Sequence, residues 1–246
     1  GKDVIYLENV KNLGIERRLD TGLEGMIGPT WSPDGKQLIF SGAKGGFTNL
    51  YKIDADGRNL QQITTGDWAA LMPAWSPDGR RVAFVSDRGP NTDFQTLKFG
   101  KWEINILDLQ TGNIDGIPGQ GGKNLNPQWA PDGKSLAYIS DRTGITQLFI
   151  YDFDTKEHYQ ITKFIGGVQS LTENSPAITW ARQADKIAFT YMDNQQYTIW
   201  SLSNPRQLKK EPYREPPKVA VVAQMTPADS AVQRAAQAAA AIDAIA

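Results

Sequence analysis

The chain has 246 residues, 40% hydrophobic and 22% charged, with 26 Lys and Arg against 27 Asp and Glu and a net charge of −1. A water-soluble globular chain of this size buries roughly three quarters of its unfolded surface. No block of like charge suits nucleic acid or an anionic membrane surface, and even the longest apolar runs, such as Val219 to Ala223, are too short to span a bilayer. With no Cys and a single His, His158, disulfides, thiolate metal sites and Cys nucleophiles are excluded, and His-based catalysis has almost no material.

The chain starts at Gly1 with two short alternating stretches, Val4 to Asn9 and Ile15 to Thr21, which predict a half unit over residues 1–24. A turn motif then recurs at intervals of about fifty residues, the signature of stacked supersecondary repeats. Its copies are Trp31-Ser32-Pro33-Asp34-Gly35-Lys36, Trp75-Ser76-Pro77-Asp78-Gly79-Arg80 and Trp129-Ala130-Pro131-Asp132-Gly133-Lys134, with a degenerate fourth at Trp180-Ala181-Arg182-Gln183-Ala184-Asp185-Lys186. Pro presets a tight turn, Asp bonds the turn's own backbone, and Gly supplies a left-handed residue, so the motif predicts a hairpin. Trp offers a large apolar face to a neighbouring sheet and an indole N–H to a wet edge. The fourth copy lacks Pro and Gly, so its hairpin geometry is expected to differ.

Each motif is followed by an apolar alternating strand and then a second one, such as Leu38 to Ser41 and Asn49 to Asp54 in the first unit. Two units close with Gln-Ile-Thr, at Gln62-Ile63-Thr64 and Gln160-Ile161-Thr162. The expected fold is all-β, a propeller of four-stranded blades over residues 25–68, 69–118, 119–170 and 171–208. With the half blade that makes about four and a half, where closed propellers have four to eight. The expectation is a piece of a longer chain whose upstream part supplies the missing strands. The alternative is a five-bladed ring completed by Lys218 to Ala223. Residues 209–225 are predicted to be a stiff, exposed Pro-rich linker, and Thr226 to Ala246 an Ala-rich helical connector capped at Thr226.

The Trp-(Ser/Ala)-Pro-Asp-Gly-(Lys/Arg) copies, with Ser86-Asp87-Arg88 and Ser140-Asp141-Arg142 after the second strands, resemble the propeller repeat of TolB, shared with the propellers of tricorn-type and prolyl-oligopeptidase-type peptidases. The likeness covers about residues 3–208. The insertion from Asp87 to Gly100, with Asn124 to Trp129 and Gly144-Ile145 downstream, is more particularly similar to the propeller segment of large bacterial envelope proteins that also carry a metallopeptidase-like domain and an outer-membrane barrel. That resemblance implies a periplasmic or envelope location and protein partners, or neighbouring domains of the same polypeptide.

No Gly-x-Ser-x-Gly and no His-Glu-x-x-His occurs, so no catalytic residue, cofactor or metal site is assigned. His158 is expected to be exposed and structural, in a turn leading into an outer strand. Gly119-Gln120-Gly121-Gly122-Lys123 lacks the following helix of a phosphate loop and reads as a flexible connection between blades. The acidic turns at Asp54 to Gly57 and Asp152 to Asp154 lack a full calcium ligand series, and Asp87 and Asp141 read as partners for turn amides. The insertion from Gly89 to Trp102 is long for a hairpin loop and mixes aromatic and charged residues. Asp93, Phe94, Leu97, Lys98, Phe99 and Trp102 are therefore the candidate partner-binding residues, against the alternative of a hairpin folded back on its own blade. The expected role is a non-catalytic interaction module. Gating or substrate selection for a peptidase domain outside this chain is the alternative, and a small-ligand site at the ring's central mouth is a third.

Overall fold

The computed structural model describes residues 3–172 and 175–216; the segments Lys218 to Ala223 and Thr226 to Ala246, for which a closing strand and a helix are expected, lie outside them. A two-stranded ribbon, β1 (Ile5–Glu8) and β2 (Ile15–Leu19), comes first. Three four-stranded antiparallel blades follow, built in chain order from β3 (Gly25–Trp31), β4 (Gln37–Lys44), β5 (Phe47–Asp54) and β6 (Gln61–Gln62); then β7 (Ala70–Trp75), β8 (Arg81–Ser86), β9 (Glu103–Asp108) and β10 (Ile114–Gly116); then β11 (Asn124–Trp129), β12 (Ser135–Ser140), β13 (Gln147–Asp152) and β14 (Glu157–Gln160). The fourth blade holds β15 (Ile178–Trp180), β16 (Lys186–Asp193) and β17 (Gln196–Ser203). Among the described residues it has three strands rather than the expected four, and β17 is its outer edge.

The Trp-headed turns work as their chemistry predicts. In the first, Gly35 N–H bonds Ser32 O at 3.0 Å and Asp34 accepts from the Ser32 hydroxyl at 2.6 Å and the Lys36 amide at 3.1 Å. These bonds, led by that from Ser32, hold the Asp34 carboxyl below its ordinary range. The second turn repeats the pattern through Ser76, Asp78 and Gly79. The degenerate fourth keeps its closing bond, Ala181 N–H to Lys186 O at 2.9 Å, while Asp185 takes the Trp180 indole at 3.2 Å. Gly79 has φ +74°, and a Cβ added there would meet nothing nearer than the Pro33 ring at 3.9 Å, an ordinary contact. Gly79→Ala is therefore expected to cost only the left-handed backbone strain, about 1 kcal/mol, seen as a small drop in the thermal midpoint with unchanged circular dichroism.

Apolar faces meet between blades. Trp75 sits in the core shared by the first and second blades, Trp129 in that of the second and third, and Trp180 in that of the third and fourth. The Trp129 indole donates across the blade boundary to Ala74 O at 3.0 Å, and the Arg81 guanidinium lies 4.6 Å over its ring. Trp31 differs. It should pack on the blade before it, but among the described residues only a two-stranded ribbon stands there, and it remains 38% exposed against 9% for Trp75 and 4% for Trp180.

The innermost strands carry a repeated irregularity. Register shifts fall between Ile27 and Thr30, Leu71 and Ala74, and Leu125 and Gln128. At each, a residue of positive φ (Gly28, Met72, Asn126) precedes a proline (Pro29, Pro73, Pro127). Proline removes a ladder donor and is tolerated at such edge bulges. The Asn126 side-chain oxygen also accepts the amides of Ala177 and Ile178 at 2.7 and 2.8 Å, tying the fourth blade's inner strand to the third.

The Gln-Ile-Thr segments use side chains where the outer strand leaves the sheet. Thr64 and Thr162 hydroxyls accept the Leu50 and Leu148 amides at 2.8 and 2.9 Å and donate to Asn49 and Gln147. After the fourth blade a 3₁₀ turn, Pro205–Leu208, places Arg206 against Asp185 and Asp132. Lys209 then pairs with Asp152, and Tyr213 donates its amide to His158 O at 2.7 Å. Part of the stretch expected to be an exposed linker thus lies along the third blade.

Candidate functional site

The Gly89–Trp102 insertion joins β8 to β9. Asp87 fixes its root by accepting the Ala69 amide at 3.0 Å, and the Thr92 hydroxyl bonds Asp87 O while accepting Gly100 N–H at 2.8 Å. Asp93 and Lys98 exchange backbone hydrogen bonds at 2.9 and 3.0 Å, making a small hairpin inside the loop. The Asp93 carboxylate caps the Gln95 and Thr96 amides. Asp93 and Lys98 thus shape the loop through their backbones, while Phe94, Leu97 and Phe99 are exposed at its surface and Trp102 is half-buried at its base.

The loop leans sideways rather than back on its own blade. Phe94 packs on Phe47, at the tip of the neighbouring β4–β5 hairpin, with ring centres 5.2 Å apart, and meets Phe99 edge-on at 6.3 Å. Phe47 is not among the residues that loop length and composition single out. It lies more than forty positions upstream, and only its place after Gly45-Gly46 marks it as a hairpin tip.

His158, expected to be exposed, is instead buried on β14. Its Nε2–H donates to Pro118 O at 2.7 Å, leaving Nδ1 to accept the Tyr138 hydroxyl at 2.6 Å. Arg142 donates to the same Tyr138 oxygen at 3.0 Å and to Ser140 Oγ and Asn124 Oδ1, both at 3.1 Å. Burial, which disfavours the imidazolium, lowers the His158 pKa to about 4. Both ring nitrogens are committed to structural bonds, so His158 is not placed to serve as base to a nucleophile. Burial likewise pushes the Tyr138 phenol up.

The Gly119 to Lys123 segment connects blades but is anchored: Gln120 accepts Ile104 N–H at 2.7 Å and donates to Ile104 O at 2.9 Å, taking a strand's place on β9. Asp141 accepts the Lys123 amide at 2.6 Å, the counterpart of Asp87 with Ala69. Among the described residues no group of three or more His, Asp and Glu converges on a metal position, and no helix is long and apolar enough to cross a membrane. The inner strands of all four blades line a central cavity of about 540 Å³, walled by Pro29, Pro73 and Pro176 and crossed by Arg182, which donates to Trp31 O at 2.8 Å.

Comparison with known proteins agrees with this architecture. Residues 1–95 match the family described as TolB beta propeller domain. The chain is 31% identical over 120 residues to the Tol-Pal system protein TolB of Anaeromyxobacter sp., covering 46% of this chain and 25% of that protein. In general it spans less than half the length of the curated relatives it matches. The TolB structure from Acinetobacter baumannii superposes with a TM-score of 0.63 at 21% identity, over 81% of this chain and 46% of that one. A puromycin hydrolase structure shares the fold with a TM-score of 0.55 at 18% identity, over 78% of this chain and 29% of that one.

Proposed function

We propose that this chain, which carries a TolB-like β-propeller fold, is a non-catalytic interaction module of the bacterial envelope that presents one face to a protein partner or to neighbouring domains of the same polypeptide. The observation that carries the reading is the Gly89–Trp102 loop, pinned by backbone bonds at Asp93 and Lys98 yet exposing Phe94, Leu97 and Phe99. Exposed aromatic residues on a fixed frame are what contact hot spots require. The envelope location and the larger envelope protein rest on resemblance to TolB-type propellers. Immobilised chain is expected to retain a defined envelope protein, and the triple variant Phe94→Ser, Leu97→Ser, Phe99→Ser is expected to lose at least about 2 kcal/mol of that binding. Equal retention by both proteins, or none by the parent, would count against the proposal.

The shared fold with a puromycin hydrolase supports a second reading, a propeller that selects substrates for a peptidase domain elsewhere in a longer polypeptide. Peptide cleavage by the longer protein, altered by the loop variant and absent from the isolated chain, would favour it.

A further inference from the structure

Where the Gly89–Trp102 loop leans over the β4–β5 hairpin it encloses a cavity of about 210 Å³. Four aromatic residues line it, Phe47, Phe94, Phe99 and Trp102, together with Asp67 and Asp87. Ring faces present negative charge density and carboxylates a full negative charge, so both kinds of wall favour a cation. The lining includes no Lys or Arg; Arg88, next to Asp87, is turned to the Trp68 ring at 5.1 Å. The volume falls below the several hundred Å³ typical of small-molecule sites, and suits one side chain inserted from outside.

We infer that this cavity takes the basic side chain of a partner protein, with a guanidinium stacked on the Phe and Trp rings and paired to Asp67. An arginine suits it because its planar head both stacks and pairs with carboxylates. The inference deepens the interaction role proposed above and rests on it. Asp67 is exposed and available for pairing, while Asp87 holds the Ala69 amide through one oxygen.

The test uses two probes, Nα-acetyl-arginine methylamide and its neutral isostere Nα-acetyl-citrulline methylamide, titrated into protein labelled at its seven tryptophan indoles. The Trp102 indole signal is expected to shift saturably, with the arginine probe binding about ten-fold more tightly, as one cation–ring contact and one exposed charge pair would give. Asp67→Asn should reduce that preference to about three-fold, the share of the cation–ring contact, and Phe99→Ala should weaken binding of the arginine probe, both without lowering the thermal midpoint. Equal binding of the two probes, no shift at Trp102, or an unchanged preference in Asp67→Asn would overturn the inference. If Phe99→Ala abolishes retention of an envelope protein while the probes bind equally, the cation site fails and the contact surface stands. If arginine is preferred but retention is unaffected by the loop, the interaction role fails instead.

Discussion

Asn126→Ala is expected to be among the most destabilising single substitutions in the propeller, costing about 3 to 7 kcal/mol. The side-chain oxygen of Asn126 holds two buried amides, Ala177 and Ile178, of the next blade. Each amide left unpaired costs about 1 to 3 kcal/mol, and alanine at φ +54° adds about 1 kcal/mol of left-handed strain. For a domain of this size that corresponds to a fall of about 10 to 20 °C in the thermal midpoint. Asn126→Gly separates the two contributions, since glycine accepts the backbone angle but supplies no acceptor; it should recover about 1 kcal/mol. Full recovery in Asn126→Gly would show that the bonds to the fourth blade contribute nothing.

Acidification gives the second large effect. His158 is neutral in the folded chain because burial lowers its pKa from 6.5 to about 4, whereas the unfolded chain protonates it near 6.5. Between these values the unfolded state binds more protons, so the contribution of His158 is complete above pH 6.5 and is lost as the pH falls toward 4. At about 1.4 kcal/mol per pH unit the loss amounts to about 3 kcal/mol. Protonation would also place a donor at Nδ1 against the Tyr138 hydroxyl, which already receives Arg142. The bond to Pro118 O opposes the shift, and Glu157 does so to a smaller degree, while the Arg142 charge adds to it. The Asp34, Asp54 and Asp108 carboxyls, held low by hydrogen bonds from Ser32, Gln37 and Thr111 respectively, add their own loss only below about pH 5, where the unfolded chain begins to protonate them. Denaturant unfolding between pH 7 and about pH 5 should therefore lose its slope in His158→Gln, whose amide can still donate to Pro118 O and accept from Tyr138. An undiminished slope in that variant would assign the acid sensitivity to another group.

The blade framework is readable from sequence because its determinants are local. Ser32, Pro33, Asp34 and Gly35 satisfy one another within a single turn, and the strands after each Trp alternate in plain view. The inner-strand bulge has its own signal, which the turn motif overshadows: a proline stands two positions before Trp31, Trp75 and Trp129 alike. Features made by distant pairing leave no such mark. His158 reads as exposed because the groups that enclose it, Tyr138 and Pro118, lie 20 and 40 residues away. Phe94, Phe99 and Trp102 stand out through the length and composition of their loop, but the cavity they form needs Phe47 from another blade. The Thr64 and Thr162 hydroxyls stand inside predicted strands, and periodicity does not distinguish a residue that pairs through its backbone from one that pairs through its side chain.

The bulges at Gly28-Pro29, Met72-Pro73 and Asn126-Pro127 also restrict how the central cavity can recognise anything. A peptide that extends a sheet needs an edge with regular register and a full set of backbone donors. Each of these three inner edges is broken midway and lacks a donor at its proline. Whatever enters the channel past these blades must be read by side chains, and a ligand whose affinity depends on main-chain pairing has no template there.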